Sequence, residues 1–390
     1  MPRALPFLLL AVGLALTGCS VGDDPSQPPQ LGAEAQDEEA AAKLGFPAGA
    51  TRNTVRVGGG DAASDAAGVA NALFPATSSS TKPTAVVLVE QSDWQAGITA
   101  SVLAGRPIGA PLLLSDGEDL PAVSRDTLQR LDPRGSDLSR DAQVIRIGQR
   151  VARPDGYKLA VIEGDDPYQR AAAIDRFFSA ARGEPSRNVL VVSGESPEFA
   201  MPAAAWAARS GNAVLPIRSQ AVPPPIREAL REHERPNIYV LGPERVIGDR
   251  AVSQLREFGR VTRIQGPRPV ENAIAFARYE DDRTGFGWGV DVPGYNFTLA
   301  STSRPLDAAS AAPLAARGVF APLLLTDRVD ELPRSLENYF LSVQPGFEDD
   351  PGEAVYNRVW ILGDDETVSV EQQARLDQIT ELVPVQTNIP

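Results

Sequence analysis

Pro111-Leu112-Leu113-Leu114-Ser115 and Pro322-Leu323-Leu324-Leu325-Thr326 are almost the same pentapeptide, and Ala213-Val214-Leu215-Pro216-Ile217-Arg218 stands midway between them. Leu112, Leu215 and Leu323 lie 103 and 108 residues apart, so the chain repeats about every hundred residues. Each run is short, apolar and bounded by polar residues, which reads as a buried strand.

Outward from these strands the same order recurs. Upstream lie the small-residue stretches 96–105, 203–211 and 308–318, each closed by glycine, as helices with their C-caps are. Before them come Ala85-Val86-Val87-Leu88-Val89, Asn188-Val189-Leu190-Val191-Val192 and Asn296-Phe297-Thr298-Leu299-Ala300, three more strands. Downstream, Leu120-Pro121, the prolines 223–225 and Leu332-Pro333 open polar helices, because proline suits a helix's first turn. A strand ending in glycine closes each unit, at Ile147-Gly148, Leu241-Gly242 and Leu362-Gly363. The unit is β-α-β-α-β with apolar strands. Such strands call for a mostly parallel sheet covered by helices on both faces, an α/β fold in three tandem modules.

The amino terminus has a different grammar. One basic residue, Arg3, precedes the apolar run 4–16 and small residues, as in an export signal. As a helix the run spans about 20 Å against about 30 Å of bilayer hydrocarbon, too short for a permanent anchor. Leu16-Thr17-Gly18-Cys19 resembles the bacterial lipobox, which implies acylation of the Cys19 sulfur and cleavage between Gly18 and Cys19. Cys19 is the only cysteine, so no disulfide competes for it. Residues 19–51, rich in proline and acids, have too little apolar surface to fold and read as a disordered tether. The expected divisions are a signal peptide at 1–18, the tether at 19–51, and repeats at 52–157, 158–261 and 262–390.

Thirty-seven basic residues face 51 acidic ones, a net charge of −14, and loss of Arg3 with the signal leaves −15. Nucleic acid binding, whose footprint is a basic patch, is not expected, and neither is electrostatic adhesion to anionic lipid. The only tie to the membrane would be lipid on Cys19, at its extracytoplasmic face.

The repeats resemble the bacterial cell wall-binding repeat 2 family, which occurs as three tandem copies in exported surface proteins. Family units open close to Gly-x-Asp-Arg-Tyr-x-Thr-Ala. The second unit keeps Gly164, Asp166, Tyr168 and Ala171, the first Gly59, Asp61 and Ala66, and the third Gly266 and Ala273, with Arg268 where the acid would fall. The family's Asp-Ala-Leu-Ala-Ala segment is matched by Asp307-Ala308-Ala309, with Gln95 and Ala200 replacing the acid in the other units. Its Pro-Ile-Leu-Leu-Thr strand is matched by the two pentapeptides quoted first. The resemblance implies Rossmann-like or Toprim-like modules packed as a pseudo-trimer, and non-covalent attachment to anionic wall polysaccharide.

Catalytic chemistry finds little support. With one histidine, His233, and no cysteine after Cys19, the usual zinc sets and Cys/His or Ser/His nucleophile systems are excluded, and no cofactor is expected. His233, in a charged helix end, reads as solvated. Gly58-Gly59-Gly60-Asp61 could cradle a phosphate, but without a Walker lysine a tight turn with Asp61 as N-cap is the simpler reading. The acidic clusters 281–282, 348–350 and 364–366 read as solvated turns. Trp206 and Trp360 belong in the core, while Trp288 is the best candidate for exposure and sugar stacking.

Ligands of open parallel sheets collect at the carboxyl ends of the strands. That puts polymer sites at Asp93, Ser115, Arg218, Arg304 and Thr326, where hydroxyls and local arginines, or bridging Mg²⁺ or Ca²⁺, would hold a polyanion. The alternatives are a solute-binding lipoprotein, whose fold has two lobes and one cleft, and a wall hydrolase relying on two carboxylates.

Overall fold

The computed structural model describes residues 48–385, so the expected signal peptide, Gly18, Cys19 and nearly all of the tether lie outside the described residues. Three residues expected in the tether, Ala48–Ala50, instead form strand β1, because they pair antiparallel with the strand that follows.

The first repeat runs β1, β2 (Thr54–Val57), α1 (Ala62–Leu73), β3 (Val86–Glu90), α2 (Trp94–Ala100), β4 (Leu112–Ser115), α3 (Ala122–Leu131) and β5 (Val144–Ile147). The second runs β6 (Leu159–Ile162), α4 (Pro167–Arg182), β7 (Asn188–Ser193), α5 (Pro197–Ala200), α6 (Pro202–Ser210), β8 (Ala213–Ile217), α7 (Pro224–Glu232), β9 (Asn237–Leu241) and α8 (Asp249–Leu255). The third opens with β10 (Arg260–Ile264), α9 (Pro269–Arg278) and a small hairpin, β11 (Glu280–Asp281) and β12 (Phe286–Gly287). It continues through β13 (Asn296–Ser301), α10 (Leu306–Ala316), β14 (Leu323–Thr326), α11 (Arg334–Ser342), β15 (Gly346–Phe347), β16 (Arg358–Leu362), α12 (Val370–Ile379) and β17 (Val383–Pro384). The expected α/β architecture is present with each expected strand in place, and β6 and β10 are additional strands not expected from the sequence.

Three parallel sheets share one strand order: β4-β3-β5-β6, β8-β7-β9-β10 and β14-β13-β16-β2, the last bordered by antiparallel β1. The opening strand of each repeat thus lies at the edge of the preceding repeat's sheet, and β2 of the first repeat closes the sheet of the third. Ala160 pairs with Ile145, Arg263 with Val240 and Arg56 with Ile361. The next helix then crosses to its own repeat: α1 packs on β4 and α3, α4 on β8 and α7, α9 on β14 and α11. Sequence repeats and sheets are therefore offset by one strand, and the expected division at 262 falls inside β10.

Arginine fastens two of these exchanged strands. Arg56, buried on β2, donates to the carbonyls of Gly363 at 2.9 Å and Val368 at 2.6 Å. Arg263 on β10 donates to the equivalent carbonyls, Gly242 at 2.8 Å and Ile247 at 2.9 Å. Each guanidinium saturates the loop that leaves the neighbouring strand, satisfying carbonyls that would otherwise be buried without donors. At the remaining sheet the fastener is Arg146 on β5, which donates from Nε to Val151 O at 3.0 Å and Ala152 O at 2.9 Å.

The helices α2, α6 and α10 pack on one another at the centre, joined by the 3₁₀ turn Ser101–Ala104. Their small residues have a steric reason. A Cβ on Gly97 would stand 2.7 Å from Leu306 Cδ2 and 3.2 Å from Ala309 Cβ, and one on Gly105 would stand 2.7 Å from the Ala208 carbonyl oxygen. Helix α10 is buried at every position from 306 to 315, its polar Asp307 and Ser310 included. The closing glycines do not all act as expected. Gly211 is a left-handed C-cap at φ +70°, whereas the first helix ends by tightening into the 3₁₀ turn and Gly318 lies one residue past the cap Arg317. Pro121, Pro223 and Pro333 are N-caps of α3, α7 and α11, one position ahead of the first turn.

Among the described residues, no helix is long and apolar enough to cross a membrane.

Candidate functional site

At the carboxyl ends of the first repeat's strands lies a crevice of about 560 Å³, where Glu90, Asp93, Asp116 and Asp165 face Arg150 and Arg170. Asp93 is committed inside the protein. One oxygen caps α2 by accepting from the Ala96 amide at 3.0 Å, and the other accepts from Arg170 of the second repeat at 2.6 Å. The Ser115 side chain is fully buried within 3.5 Å of the Val89 carbonyl, so its hydroxyl does not face the crevice.

In the third repeat, Arg304 is spent on an internal cluster. It bonds the buried carboxylate of Asp65, and its Nε lies 3.0 Å from Oδ2 of Asp307 without the alignment for a hydrogen bond. Asp65 also accepts from the Gly59 amide at 2.7 Å, and the same six-residue link recurs where Asn272 accepts from the Gly266 amide at 3.1 Å. In the second repeat Arg170 reaches back to the Gly164 carbonyl at 3.0 Å. Burial raises both Asp65 and Asp307, the latter to about 6, because one guanidinium cannot stabilise two desolvated carboxylates. Thr326 is fully buried, its hydroxyl donating to the Arg328 carbonyl at 3.0 Å.

The five expected polymer residues thus lie on three separate sheets, and four of them are engaged internally. The reason is the exchange of opening strands, which brings a helix N-terminus over each strand end and gives Asp93, Arg304 and their neighbours partners from another repeat. Arg218 alone is exposed, its guanidinium 5.6 Å from the Tyr168 ring centre.

Asp61 caps α1, accepting from the Ser64 amide at 2.7 Å, so the glycine run is the expected strand-to-helix turn. Gly58 there has φ +127°, and a Cβ would collide with Asp65. Among the described residues no three His, Cys, Asp or Glu side chains converge on a common point. The acidic turns do local work: Asp281 accepts from the Tyr239 hydroxyl at 2.8 Å and Asp364 from the Thr367 hydroxyl at 2.7 Å. Trp206 is buried as expected. Trp288, expected to be exposed, is half-buried edge-on to Trp206 at 5.3 Å, because the β11–β12 hairpin folds it onto the second repeat.

His233 overturns the reading of a solvated side chain. It is buried, with Nε2 2.8 Å from Asp175 Oδ2 and Nδ1 2.7 Å from the Ser186 carbonyl oxygen. A signal existed: His233 is seven residues after Ile226 and three after Leu230, on the buried stripe of α7.

No family model matches the sequence, and no curated protein does either. Solved structures do share the fold. Cwp6 from Clostridium difficile superposes with a TM-score of 0.65 at 17% identity, over 83% of this chain and 47% of its own. Cwp8 from the same organism gives 0.63 at 18% identity, over 88% and 54%. The chain spans about half the length of each.

Proposed function

We propose that this is a lipid-anchored protein of the cell envelope that holds anionic cell-wall polysaccharide non-covalently through its three repeats, without catalysing a reaction. The observation that carries the reading is that 83% and 88% of the chain follow the fold of two cell wall proteins, Cwp6 and Cwp8. The lipobox-like Leu16-Thr17-Gly18-Cys19 supports lipid on Cys19 and a location on the outer face of the membrane. Held there, the repeats would tie the wall to the membrane. An acidic chain can retain a polyanion only through local arginines or bridging divalent cations.

The test is a pull-down of the protein beginning at Ser20 on purified cell walls, before and after removal of their secondary polymers. Retention that disappears on stripping is the expected result. No retention on either material would overturn the reading, and release of muropeptides from the walls would overturn its non-catalytic part.

A further inference from the structure

The arginines that end the three central helices come together. Arg106 follows the turn Ser101–Ala104, Arg209 lies in the last turn of α6, Arg317 caps α10, and all three line one cavity of about 590 Å³. No acidic residue lines it, in a chain with 51 acids to 37 bases. Among the described residues, none of the three guanidinium groups has an acidic partner or donates a hydrogen bond to protein. Two of them rest on aromatic faces instead: Arg209 lies 4.9 Å from the centre of the Phe320 ring, and Arg317 lies 4.7 Å from that of Phe74. A cation at a helix C-terminus is favoured by the helix dipole. None of the three bonds a last-turn carbonyl. Their N–H edges are left for a ligand.

A second observation points the same way. Phe320 has φ +55°, a strained conformation for a bulky residue, yet the residue is 48% exposed. Strain kept at an exposed aromatic marks a working surface more often than a packing need. Phe320 and Arg209 also line an adjoining cavity of about 430 Å³ with Trp288, Tyr295, Asn188 and Asn212. The indole N–H of Trp288 there is buried without an acceptor. Aromatic rings suit the apolar faces of sugars, amides suit their hydroxyls, and arginine forks suit phosphate or carboxylate.

Both cavities lie at the amino ends of the strands, beside Ala110, Asn212, Tyr295 and Phe320 just ahead of β4, β8, β13 and β14. This is the face opposite the strand-carboxyl crevices, which in the first repeat carry four acids to two arginines. We propose that this pair of cavities is the anionic-glycan site: Arg106, Arg209 and Arg317 bind the phosphate or carboxylate groups of a polymer, and Phe320 carries a sugar ring beside them. The polymer's origin in the wall rests on the function proposed above, whereas the anion chemistry does not.

The experiment compares four chains beginning at Ser20: the native sequence, R106S/R209S/R317S, R218S and F320A. Each is titrated with inorganic pyrophosphate by calorimetry and pulled down on walls with and without their secondary polymers. Pyrophosphate is expected to bind the native chain and R218S alike, and to bind the triple variant at least about tenfold more weakly. Wall retention is expected to fail in the triple variant, weaken in F320A and persist in R218S. Single arginine replacements, each expected to weaken pyrophosphate about threefold, keep the test decisive should the triple variant not fold. Pyrophosphate binding that is absent from the native chain, or equal in the triple variant, overturns the site, as does retention that follows Arg218. Pyrophosphate binding that depends on the three arginines while the native chain ignores both wall preparations keeps the anion site and sinks the wall reading.

Discussion

Nε2 of His233 meets Oδ2 of Asp175 at 2.8 Å in a site closed to solvent, and Nδ1 meets the Ser186 carbonyl oxygen at 2.7 Å. Both ring nitrogens face acceptors, so the doubly protonated ring satisfies the site. Burial pushes the imidazolium pKa down, but Asp175, the Ser186 carbonyl and Glu232 outweigh it and hold the pKa above its usual 6.5. The stabilisation is therefore complete below the unfolded value and lost as pH rises through the folded one. Thermal melting between about pH 6 and pH 9 should show a declining midpoint that flattens in His233→Gln. Equal slopes in the two chains would assign the decline elsewhere. Asp175→Asn, which strands a buried cation, should cost about 3–5 kcal/mol at pH 6.

Arg304 lies against the buried carboxyls of both Asp65 and Asp307. Because burial raises both carboxyls, this cluster also loses stability as pH climbs from the unfolded value near 3.8 through the folded one, about 6 for Asp307. Asp307→Asn leaves one acid to one guanidinium. Urea unfolding should find the variant about 1–3 kcal/mol more stable than the native chain at pH 8 and equal to it at pH 4. A loss of stability at pH 8 would show that both acids are needed ionised.

Arg56→Met should release the exchanged strand before anything else. Three carbonyls, those of Gly363, Asp364 and Val368, would lose their donor, for a cost of at least about 2 kcal/mol. Amide exchange should quicken first in β2 and its partner β16. Uniform acceleration across all three sheets would mean that the strand does not open on its own.

Gly97→Val tests the central packing. The new side chain meets Leu306 and Ala309, so about 1–3 kcal/mol should be lost in urea unfolding through overpacking. Gly117→Ala, at φ +55° with nothing within 4 Å of the new methyl, should cost about 1 kcal/mol through backbone strain alone. If the order of the two reversed, the helices would be less tightly held than the distances indicate.

The strands β3, β4, β7, β8, β13 and β14 and the central helices were legible because they are buried along almost their whole length, so each appears as an apolar or small-residue run, such as 112–114 or 203–208. The site was less so. Whether Arg304 faces a polymer or an acid depends on Asp65, 239 residues earlier, and no local pattern records that contact. The sheet that β2 joins is equally invisible, since its partner β16 lies some 300 residues on. The arginines of the central cavity did carry a signal in Gly105-Arg106, Arg209-Ser210-Gly211 and Arg317-Gly318, each at the end of a small-residue run. Its meaning needed the three helices side by side.

The pairing of β2 with β16 also sets a timetable. Thr54 is synthesised some 300 residues ahead of its neighbour Val359. The first two sheets can assemble while the chain is still growing, since each needs only the strand that opens the next repeat. The third must wait for β16, and until then β2 and Arg56 have no partner. Completion of the molecule is thus a single late event, slow in proportion to the loop it closes, and a chain cut short by one repeat keeps its opening strand idle.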